Sequence, residues 1–370
     1  MNEVKFTYTR QKLLSGFDGR ECKIYPRLVK TENGNAFLTY SMLLLTGSDV
    51  FNDSYFVKST DGGLTFGEPQ LLERLETKKD NIRTIFSVNT EFYSEYHKTW
   101  FVFGKNVSYE NDAHPICCGG IATGEGVYVL RDSETGQYIG EPKPLPVGMD
   151  YISAAPHAQI VDYENGDFLL TYDLGPEGET KSQNYAVRYR LENGEIRIVE
   201  AGAPVSCSAS ARGAGEPSVA RLGDRYYMTI RTNEQGYLAV SGDGLRYEEP
   251  IPWKWDDGSI LQNYNTMQRW IRCKDALYLA YTRKGAHNDH VFRHRAPIFM
   301  ARFDEENLCL VKDTEVILVP ELGARLGNFT VTDVSGNEFW LVTAEWMQPL
   351  GCQKYGSDNS LWIARVKFEE

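Results

Sequence analysis

Hydrophobic and polar positions alternate along most of this chain in short runs that end at turns rich in glycine, asparagine and aspartate. Such alternation is typical of β-strands, and few stretches show the 3.6-residue period of a helix. One module recurs: two apolar strands joined by a tight turn, and then a third strand. We place the six copies of this module at residues 24–66, 85–131, 155–191, 216–247, 265–303 and 328–368.

Six similar modules, spaced by about 60 residues, indicate a radial array of four-stranded antiparallel blades, because one blade cannot bury both of its faces alone. A β-sandwich, or two stacked β domains, would also give short strands with turns between them. We favour an all-β, six-bladed β-propeller that forms a single domain over residues 1–370. An opening strand at residues 4–14 is expected to close the ring by joining the last blade.

Composition narrows the function classes. With 370 residues, of which 42% are hydrophobic and 12% aromatic, the chain can bury a large core. The net charge of −12 and the lack of a basic run argue against nucleic-acid binding. The longest uncharged apolar run, residues 42–45, is far too short to cross a bilayer.

Cysteine usage and the amino terminus bear on the compartment. The chain has seven cysteines, an odd number that favours free thiols in a reducing environment over a disulfide framework. The first ten residues show no apolar core of a secretory signal. We therefore expect a cytoplasmic protein, or a secreted or periplasmic one only if a leader has been removed.

The stretch 59–66, Ser-Thr-Asp-Gly-Gly-Leu-Thr-Phe, is predicted to be a hairpin tip. Ser59 and Asp61 can hydrogen-bond their own backbone, and the two glycines permit positive φ angles. A shorter copy, Ser-Gly-Asp-Gly-Leu-Arg-Tyr, occupies residues 241–247. Both stretches resemble the aspartate box, or BNR repeat, of the sialidase superfamily of β-propellers, with Phe66 at the usual tryptophan position. The box is a structural element, so this resemblance concerns the fold more than the chemistry.

In a propeller, the starts of the inner strands and the loops after the second strands converge at one end of the axis. Glu216 opens an inner strand and Arg231 ends the next strand, a spacing that resembles the sialidase pattern. In that family the arginine binds the substrate carboxylate through its planar fork, and the glutamate activates a catalytic tyrosine. The alternative is a buried structural ion pair between the two side chains.

The same resemblance assigns further residues. Arg295, with Arg293 as the second choice, lies where another sialidase arginine is expected. The family's first arginine precedes a proline in blade one, whereas Arg27 follows that proline here, and a strand would turn its side chain to the opposite face. The family's general acid lies in the loop before the first aspartate box, where Asp49 and Asp53 are the candidates.

Module six departs from the family pattern. Sialidases carry a nucleophilic tyrosine at the start of that inner strand, and the corresponding residue here is Phe329, which has no hydroxyl. Tyr264, at the start of module five, is the candidate replacement, and Glu345 lies where the family pattern ends in a Tyr-Glu pair. Glu216 with Tyr264 or Glu345 would then serve the base or nucleophile side of glycoside hydrolysis.

Histidines raise a second kind of chemistry. His157 opens the inner strand of module three, and His287, His290 and His294 lie close together in the sequence. A histidine or tyrosine base, with an arginine that neutralises a uronate carboxylate, is what β-elimination by a polysaccharide lyase requires. We expect no cofactor and no metal, because the spacing of His287, Asp289 and His290 fits no metal-binding template.

Three hypotheses of function follow. The leading one is a sialidase-like, exo-acting glycoside hydrolase that removes a terminal, acidic sugar from a glycan. The second is a lyase that acts on a uronic-acid-containing glycan through His157 or His290 with Tyr264. The third is a non-catalytic glycan-binding propeller. All three predict a carbohydrate partner and no nucleic-acid or membrane partner. The oligomeric state does not follow from the sequence.

Overall fold

The computed structural model describes residues 5–47 and 49–369. These residues form 27 β-strands and two short 3-10 turns, Phe292–His294 and Cys352–Tyr355. Within the described ranges, no helix has the length and apolar character needed to cross a membrane. The chain is therefore built almost entirely from strands and the turns between them.

The first three blades use the amino-terminal half of the chain, after a first strand, β1 (Phe6–Leu13), that belongs to the last blade. Blade 1 consists of β2 (Glu21–Lys30), β3 (Ala36–Leu44), β4 (Phe51–Ser59) and β5 (Gln70–Leu71). Blade 2 consists of β6 (Glu76–Lys79), β7 (Ile82–Ser94), β8 (Thr99–Tyr109), β11 (Gly126–Arg131) and β12 (Tyr138–Pro144). A separate hairpin between β8 and β11 consists of β9 (Cys117–Cys118) and β10 (Ile121–Ala122). Blade 3 consists of β13 (Tyr151–Asp162), β14 (Phe168–Pro176), β15 (Gln183–Glu192) and β16 (Glu195–Ala201).

The other three blades follow in order. Blade 4 consists of β17 (Gly215–Leu222), β18 (Arg225–Arg231), β19 (Gly236–Ser241) and β20 (Ile251–Pro252). Blade 5 consists of β21 (Arg269–Cys273), β22 (Ala276–Tyr281), β23 (Ile298–Asp304) and β24 (Cys309–Val319). Blade 6 consists of β25 (Thr330–Asp333), β26 (Glu338–Ala344), β27 (Leu361–Phe368) and β1. Every blade is antiparallel, and only blade 2 has a fifth strand in the described chain.

The six sheets close into a ring. The inner strands β2, β7, β13, β17, β21 and β25 each contact the next one, and β25 contacts β2. The strand β1 pairs antiparallel with β27 over its whole length, so the first and last strands of the chain lie in the same blade. The structure is a six-bladed β-propeller, and the predicted fold class is confirmed.

Hydrophobic side chains fill the spaces between neighbouring blades, as the alternation along the strands requires. Between blades 4 and 5, for example, Tyr227, Trp253, Trp270 and Phe303 pack edge to face with ring centroids 5.1–6.2 Å apart. Phe329 is fully buried in the cluster between blades 5 and 6. This side chain is a core residue, where a hydroxyl would need a buried hydrogen-bond partner.

The two predicted hairpin tips adopt the same hydrogen-bonded turn. Ser59 Oγ accepts a hydrogen bond from the Gly63 N–H at 2.8 Å, and the Asp61 carboxylate accepts two further backbone N–H groups at 3.0 Å. Ser241 and Asp243 repeat these bonds in blade 4 at 2.9 and 2.8 Å. Each tip joins the third and fourth strands of its blade, and its polar side chains satisfy the turn itself.

Candidate functional site

A cavity of about 210 Å³ lies at the end of the central axis where the inner strands begin. We call it the axial cavity. The cations that line it are Lys105, Arg212, Arg231, Arg293, Arg295 and Arg325. The carboxylates that line it are Asp49, Asp173 and Glu216. Among the described residues, cations therefore outnumber carboxylates two to one, in a protein whose net charge is −12.

Glu216 and Arg231 form an ion pair on the wall of the axial cavity. Gly215, at the start of β17, lies opposite Arg231 at the end of β18, so the strand pairing places the two side chains together. Burial alone would raise the pKa of Glu216, but the charge of Arg231, foremost among its neighbours, lowers that pKa to about 2. Glu216 is therefore an ionised carboxylate at neutral pH.

One asparagine holds three of the arginines in place. Asn265 Oδ1 accepts hydrogen bonds from Arg231 at 2.6 Å, Arg295 at 3.2 Å and Arg293 at 3.4 Å. The Asn265 carbonyl also accepts two bonds from Arg295, at 2.8 and 2.5 Å. Burial and the nearby charge of Arg231 lower the pKa of Arg295 to about 9. The crowding of these cations would be relieved by an anion bound between them.

Arg325 enters the axial cavity from the segment before the inner strand of blade 6. Its guanidinium lies 3.7 Å from the centroid of the Trp346 ring and donates to Gln348 Oε1 at 3.2 Å. Burial lowers the pKa of Arg325 to about 10. The aromatic stacking leaves the guanidinium edge available for a planar anion in the cavity.

His157 lies on the same wall as Glu216. It belongs to β13, where it pairs across the ladder with Thr171, and its side chain is buried. Burial lowers the pKa of His157 to about 3. The imidazole is therefore neutral at neutral pH and retains one nitrogen that can accept a proton.

The structure brings together six of the residues that the sequence analysis singled out. These residues, which all line the axial cavity, are Asp49, His157, Glu216, Arg231, Arg293 and Arg295. The cluster contains the Glu216–Arg231 pair and both candidate arginines of blade 5. The position of Asp49 there matches the loop assignment, and its role stays a prediction.

Two predicted residues lie away from this cavity on blade 1. Arg27 is buried, donates to the carbonyls of Tyr25 and Val88, and lines a different cavity at the opposite end of the axis. Arg27 therefore does not line the axial cavity. Asp53 lies on β4 and forms an ion pair with Arg74 at 2.5 Å, so it does not face the axis.

Tyr264 and Glu345 are also outside the axial cavity. Tyr264, in the loop before blade 5, shares a hydrogen bond of 2.7 Å with His294, which lies between β22 and β23. Asn265 has a φ of 50°, which a strand does not allow, and β21 begins only at Arg269, so Tyr264 is not at a strand start. Glu345 is buried and accepts bonds from Trp362 Nε1 and from a backbone N–H, both at 3.0 Å, so it serves the packing of blade 6.

His290 completes the set of displaced predictions. It pairs with Glu321 at 3.0 Å and contacts the tilted ring of Tyr355 at a centroid distance of 4.3 Å, outside the cavity. Among the described residues, no group of three or more histidine, cysteine, aspartate or glutamate side chains has the arrangement of a metal site. Phe329 is in the core and supplies no hydroxyl to the axial cavity. Among the described residues that line this cavity, Tyr25 is the only tyrosine.

Several lining residues were missed by the sequence analysis: Lys105, Asp173, Arg212 and Arg325. Two of them had a usable signal, because Arg212 and Arg325 lie shortly before the inner strands β17 and β25, where axial residues are expected. Asp173 lies near the end of a second strand, β14, which also meets that expectation. Lys105 had no such signal, since its position depends on where the long strand β8 ends.

Comparison with known proteins gives similarity in structure alone. No family model and no curated protein matches the sequence. A Dyadobacter fermentans protein of unknown function is 15% identical, with 98% of this chain and 99% of that chain covered and a TM-score of 0.64. The Hadza microbial sialidase Hz136 is 12% identical, with 94% and 66% covered and a TM-score of 0.61.

The GH93 α-L-arabinofuranosidase of Fusarium graminearum is 11% identical, with 97% of both chains covered and a TM-score of 0.59. The chain thus has its fold in common with these proteins. It spans about two thirds of the length of the Hadza sialidase, which is the longer protein. At these identities the similarity establishes the propeller architecture, and function has to be argued from the axial cavity itself.

Proposed function

We propose that this protein is an exo-acting glycoside hydrolase that removes a terminal acidic sugar from a glycan. The observation that carries the proposal is the excess of cations in the axial cavity. Arg293 and Arg295 have no carboxylate within ion-pair distance in the described chain, and Arg231 has only Glu216. A guanidinium fork matches the geometry of a carboxylate, so a sugar carboxylate is the ligand that these groups favour.

The carboxyl groups of the same cavity supply the chemistry. Glycoside hydrolysis requires one carboxylic acid that protonates the leaving oxygen, and one carboxylate that assists the attacking water or forms a glycosyl intermediate. Asp49, Asp173 and Glu216 surround the cavity, and Glu216 is already in the ionised state that a base requires. The volume of the cavity, about 210 Å³, has room for about one sugar unit, which supports an exo mode.

The fold similarities support this proposal at the level of reaction class. Two of the matched structures are, by name, a sialidase and an arabinofuranosidase, so propellers of this shape serve glycoside hydrolysis. The buried Phe329 argues against a tyrosine nucleophile at the position that the sialidase resemblance implies. We therefore propose the hydrolysis of an acidic sugar without that intermediate.

The test is a panel of 4-methylumbelliferyl glycosides of N-acetylneuraminic, glucuronic and galacturonic acids, with neutral arabinosides, galactosides and xylosides beside them. The wild type is expected to release the fluorophore from at least one acidic glycoside. Arg231→Ala is expected to lose about 100-fold or more in kcat/KM on that substrate. The matched control is Arg246→Ala, which removes an exposed arginine from the second hairpin tip and should change nothing. Turnover of neutral glycosides alone, or full activity in Arg231→Ala, would contradict the proposal.

His157 favours one second candidate, a polysaccharide lyase. Its neutral imidazole in the axial cavity is in the state that abstracts a proton from the carbon beside a uronate carboxylate. A lyase would turn polyuronates into unsaturated products that absorb in the near ultraviolet and contain no added water. Products of higher mass by one water, without that absorbance, would favour the hydrolase. Binding of acidic glycans without any product would favour a non-catalytic propeller.

A further inference from the structure

A second cavity of about 400 Å³ opens beside the axial cavity. We call it the side cavity. The residues that line both cavities are Lys105, Ala122, Ala155, Asp173 and Arg212. The two spaces therefore lie side by side, and a ligand that occupies both would cross between them at these residues.

The side cavity has the polar surface of a sugar-binding site. Its lining includes the hydroxyl groups of Ser153, Thr180 and Ser182 and the amide of Asn233. The Lys105 ammonium donates to Ser153 Oγ at 3.2 Å and to a backbone carbonyl at 2.9 Å, which fixes it at the junction. A few convergent polar groups in a concave space are the usual way in which a protein orients a hydroxylated ligand.

Asp173 lies at the junction of the two cavities. Among the described residues, it is the only carboxylate that lines the side cavity, and therefore the only one that lines both. It lies opposite Ala155 on β13 and makes no ion pair or side-chain hydrogen bond within the described chain. A Cβ atom at Gly215 would lie 2.9 Å from Asp173 Oδ2, so the glycine beside Glu216 leaves the space that this carboxyl occupies.

The surroundings of Asp173 and Glu216 push their protonation in opposite directions. Burial raises the pKa of Asp173; the charge of Arg212 opposes this effect and the charge of Glu216 adds to it. The pKa of Glu216 is lowered to about 2 by its ion pair with Arg231. Two neighbouring carboxyl groups whose pKa values are shifted in opposite directions are biased toward the different protonation states that an acid and a base need.

We propose that Asp173 is the general acid of the hydrolysis and that the side cavity binds the leaving sugar, with the cleaved bond at the junction. The inference rests on the proposed function and adds a catalytic residue and a leaving-group site to it. The sialidase resemblance offers Asp49 and Asp53 as the acid, but Asp53 is paired with Arg74 away from the axis, and Asp49 does not line the side cavity. An acid must reach the oxygen between the two sugars, and Asp173 is the carboxyl that lies there.

In this step the Asp173 carboxyl donates its proton to the glycosidic oxygen while the bond from that oxygen to the anomeric carbon breaks. The bonding electron pair stays on the oxygen, and the sugar in the side cavity leaves as an alcohol. Water forms the new bond to the anomeric carbon and gives its proton to the Glu216 carboxylate. Solvent then removes the proton from Glu216 and returns one to Asp173, so that one water is consumed for each bond broken.

Paired substrates test the role of Asp173 as acid. For each acidic sugar of the panel, one substrate carries 4-methylumbelliferone and the other carries galactose as the leaving group. Asp173→Asn is expected to lose about 10³-fold in kcat/KM on the galactose-linked substrate and no more than about tenfold on the aryl substrate, which leaves without protonation. Asp49→Asn is expected to affect both substrates alike. A loss that depends on the leaving group in Asp49→Asn, and not in Asp173→Asn, would overturn the proposal.

A second measurement does not depend on turnover. A carboxyl whose pKa is raised in the folded state makes the fold less stable as the pH rises above its ordinary value near 3.8. The melting temperature of Asp173→Asn minus that of the wild type is therefore expected to increase as the pH rises from about 4 to about 7. The same difference for the exposed control Asp224→Asn should stay constant. Parallel curves of melting temperature against pH for Asp173→Asn and the wild type would overturn the proposal. If Asp173→Asn does not fold, Asp173→Ala takes its place in the measurement. A protein that hydrolyses nothing in the panel contradicts the proposed function, while this titration still decides the state of Asp173.

Discussion

Two glutamate–arginine pairs lie near opposite ends of the propeller axis, and they differ in what surrounds them. Glu91 and Arg131 are 2% and 0% exposed, and Glu91 also accepts bonds from Trp100 Nε1 at 3.1 Å and from a threonine hydroxyl at 2.7 Å. Glu216 and Arg231 are 15% and 8% exposed and face the axial cavity. The first pair is closed by its neighbours, whereas the second is open to a ligand.

The two cavities themselves show the same difference. The cavity at the end where the inner strands finish is larger, about 390 Å³ against about 210 Å³. Its two most buried charged residues are already engaged, since Glu91 binds Arg131 and Arg27 donates to backbone carbonyls. The smaller axial cavity has guanidinium groups without carboxylate partners in the described chain. A cluster of buried arginines, and not volume, therefore marks the end of the propeller where chemistry is expected.

The largest expected effect on stability comes from breaking the closed pair. Glu91→Ala leaves the Arg131 guanidinium buried without its partner, and we expect a loss of about 3–5 kcal/mol in the free energy of unfolding. The measurement is urea unfolding, with the exposed Glu95→Ala as the control. Binding in the axial cavity should be unchanged in whatever fraction is folded. A loss under about 1 kcal/mol would remove the contrast between the two pairs.

Breaking the open pair, Glu216–Arg231, should cost less stability and should abolish activity. Arg231→Ala removes one cation, but Glu216 remains near Arg295 and Arg212 and touches the cavity, so we expect a smaller loss of about 1–3 kcal/mol. Turnover of the acidic sugar should disappear in the same variant. Urea unfolding beside the glycoside assay measures both quantities. If Arg231→Ala destabilises the protein more than Glu91→Ala does, the open pair is structural.

The pH dependence of stability should reveal the axial cavity. Glu216 has a pKa of about 2 in the fold against an ordinary 4.5, so the stability it contributes is present above about 4.5 and is lost as the pH falls toward 2. His157 has a pKa of about 3 in the fold against 6.5 when exposed, so the unfolded chain takes up a proton first and stability falls as the pH falls from 6.5 to 3. Glu216→Gln should flatten the lower part of the melting curve against pH, and His157→Gln the upper part. Identical curves in all three proteins would refute both assignments.

The smallest effect is expected at the third buried glutamate. Glu345 accepts backbone and indole N–H groups, and its ion pair with Lys12, at 3.3 Å, is partly exposed. Because the remaining donors keep the carboxylate satisfied, Lys12→Met should cost less than about 1 kcal/mol in urea unfolding. A cost as large as that of Glu91→Ala would show that the carboxylate depends on its cation and not on its hydrogen bonds.

The fold was predictable because its signal is local and repeated. Hydrophobic and polar positions alternate along the strands, tight turns separate the strands, and the same module of strands recurs six times. Glu216 and Arg231 were predictable because strand pairing fixes them at strand ends. Tyr264 was predicted at a strand start, but the backbone is left-handed at Asn265 and β21 begins only at Arg269. The sequence gives no signal for such a bend. Asp173 and Arg212 also lie near strand ends where axial residues are expected, but whether they meet in one cavity depends on how blades 3 and 4 pack together, and the sequence does not show that packing.

The central claim is that the axial cavity binds an acidic sugar through its arginines. The most direct test is the melting temperature of the wild type, Arg231→Ala and Lys12→Met with N-acetylneuraminate, its 2,3-dehydro analogue, glucuronate, galacturonate and neutral sugars, since a ligand of the folded state raises that temperature by mass action. We predict a rise with at least one acidic sugar that is kept in Lys12→Met and lost in Arg231→Ala. A rise with neutral sugars alone, or an acidic-sugar rise that survives in Arg231→Ala, would contradict the claim.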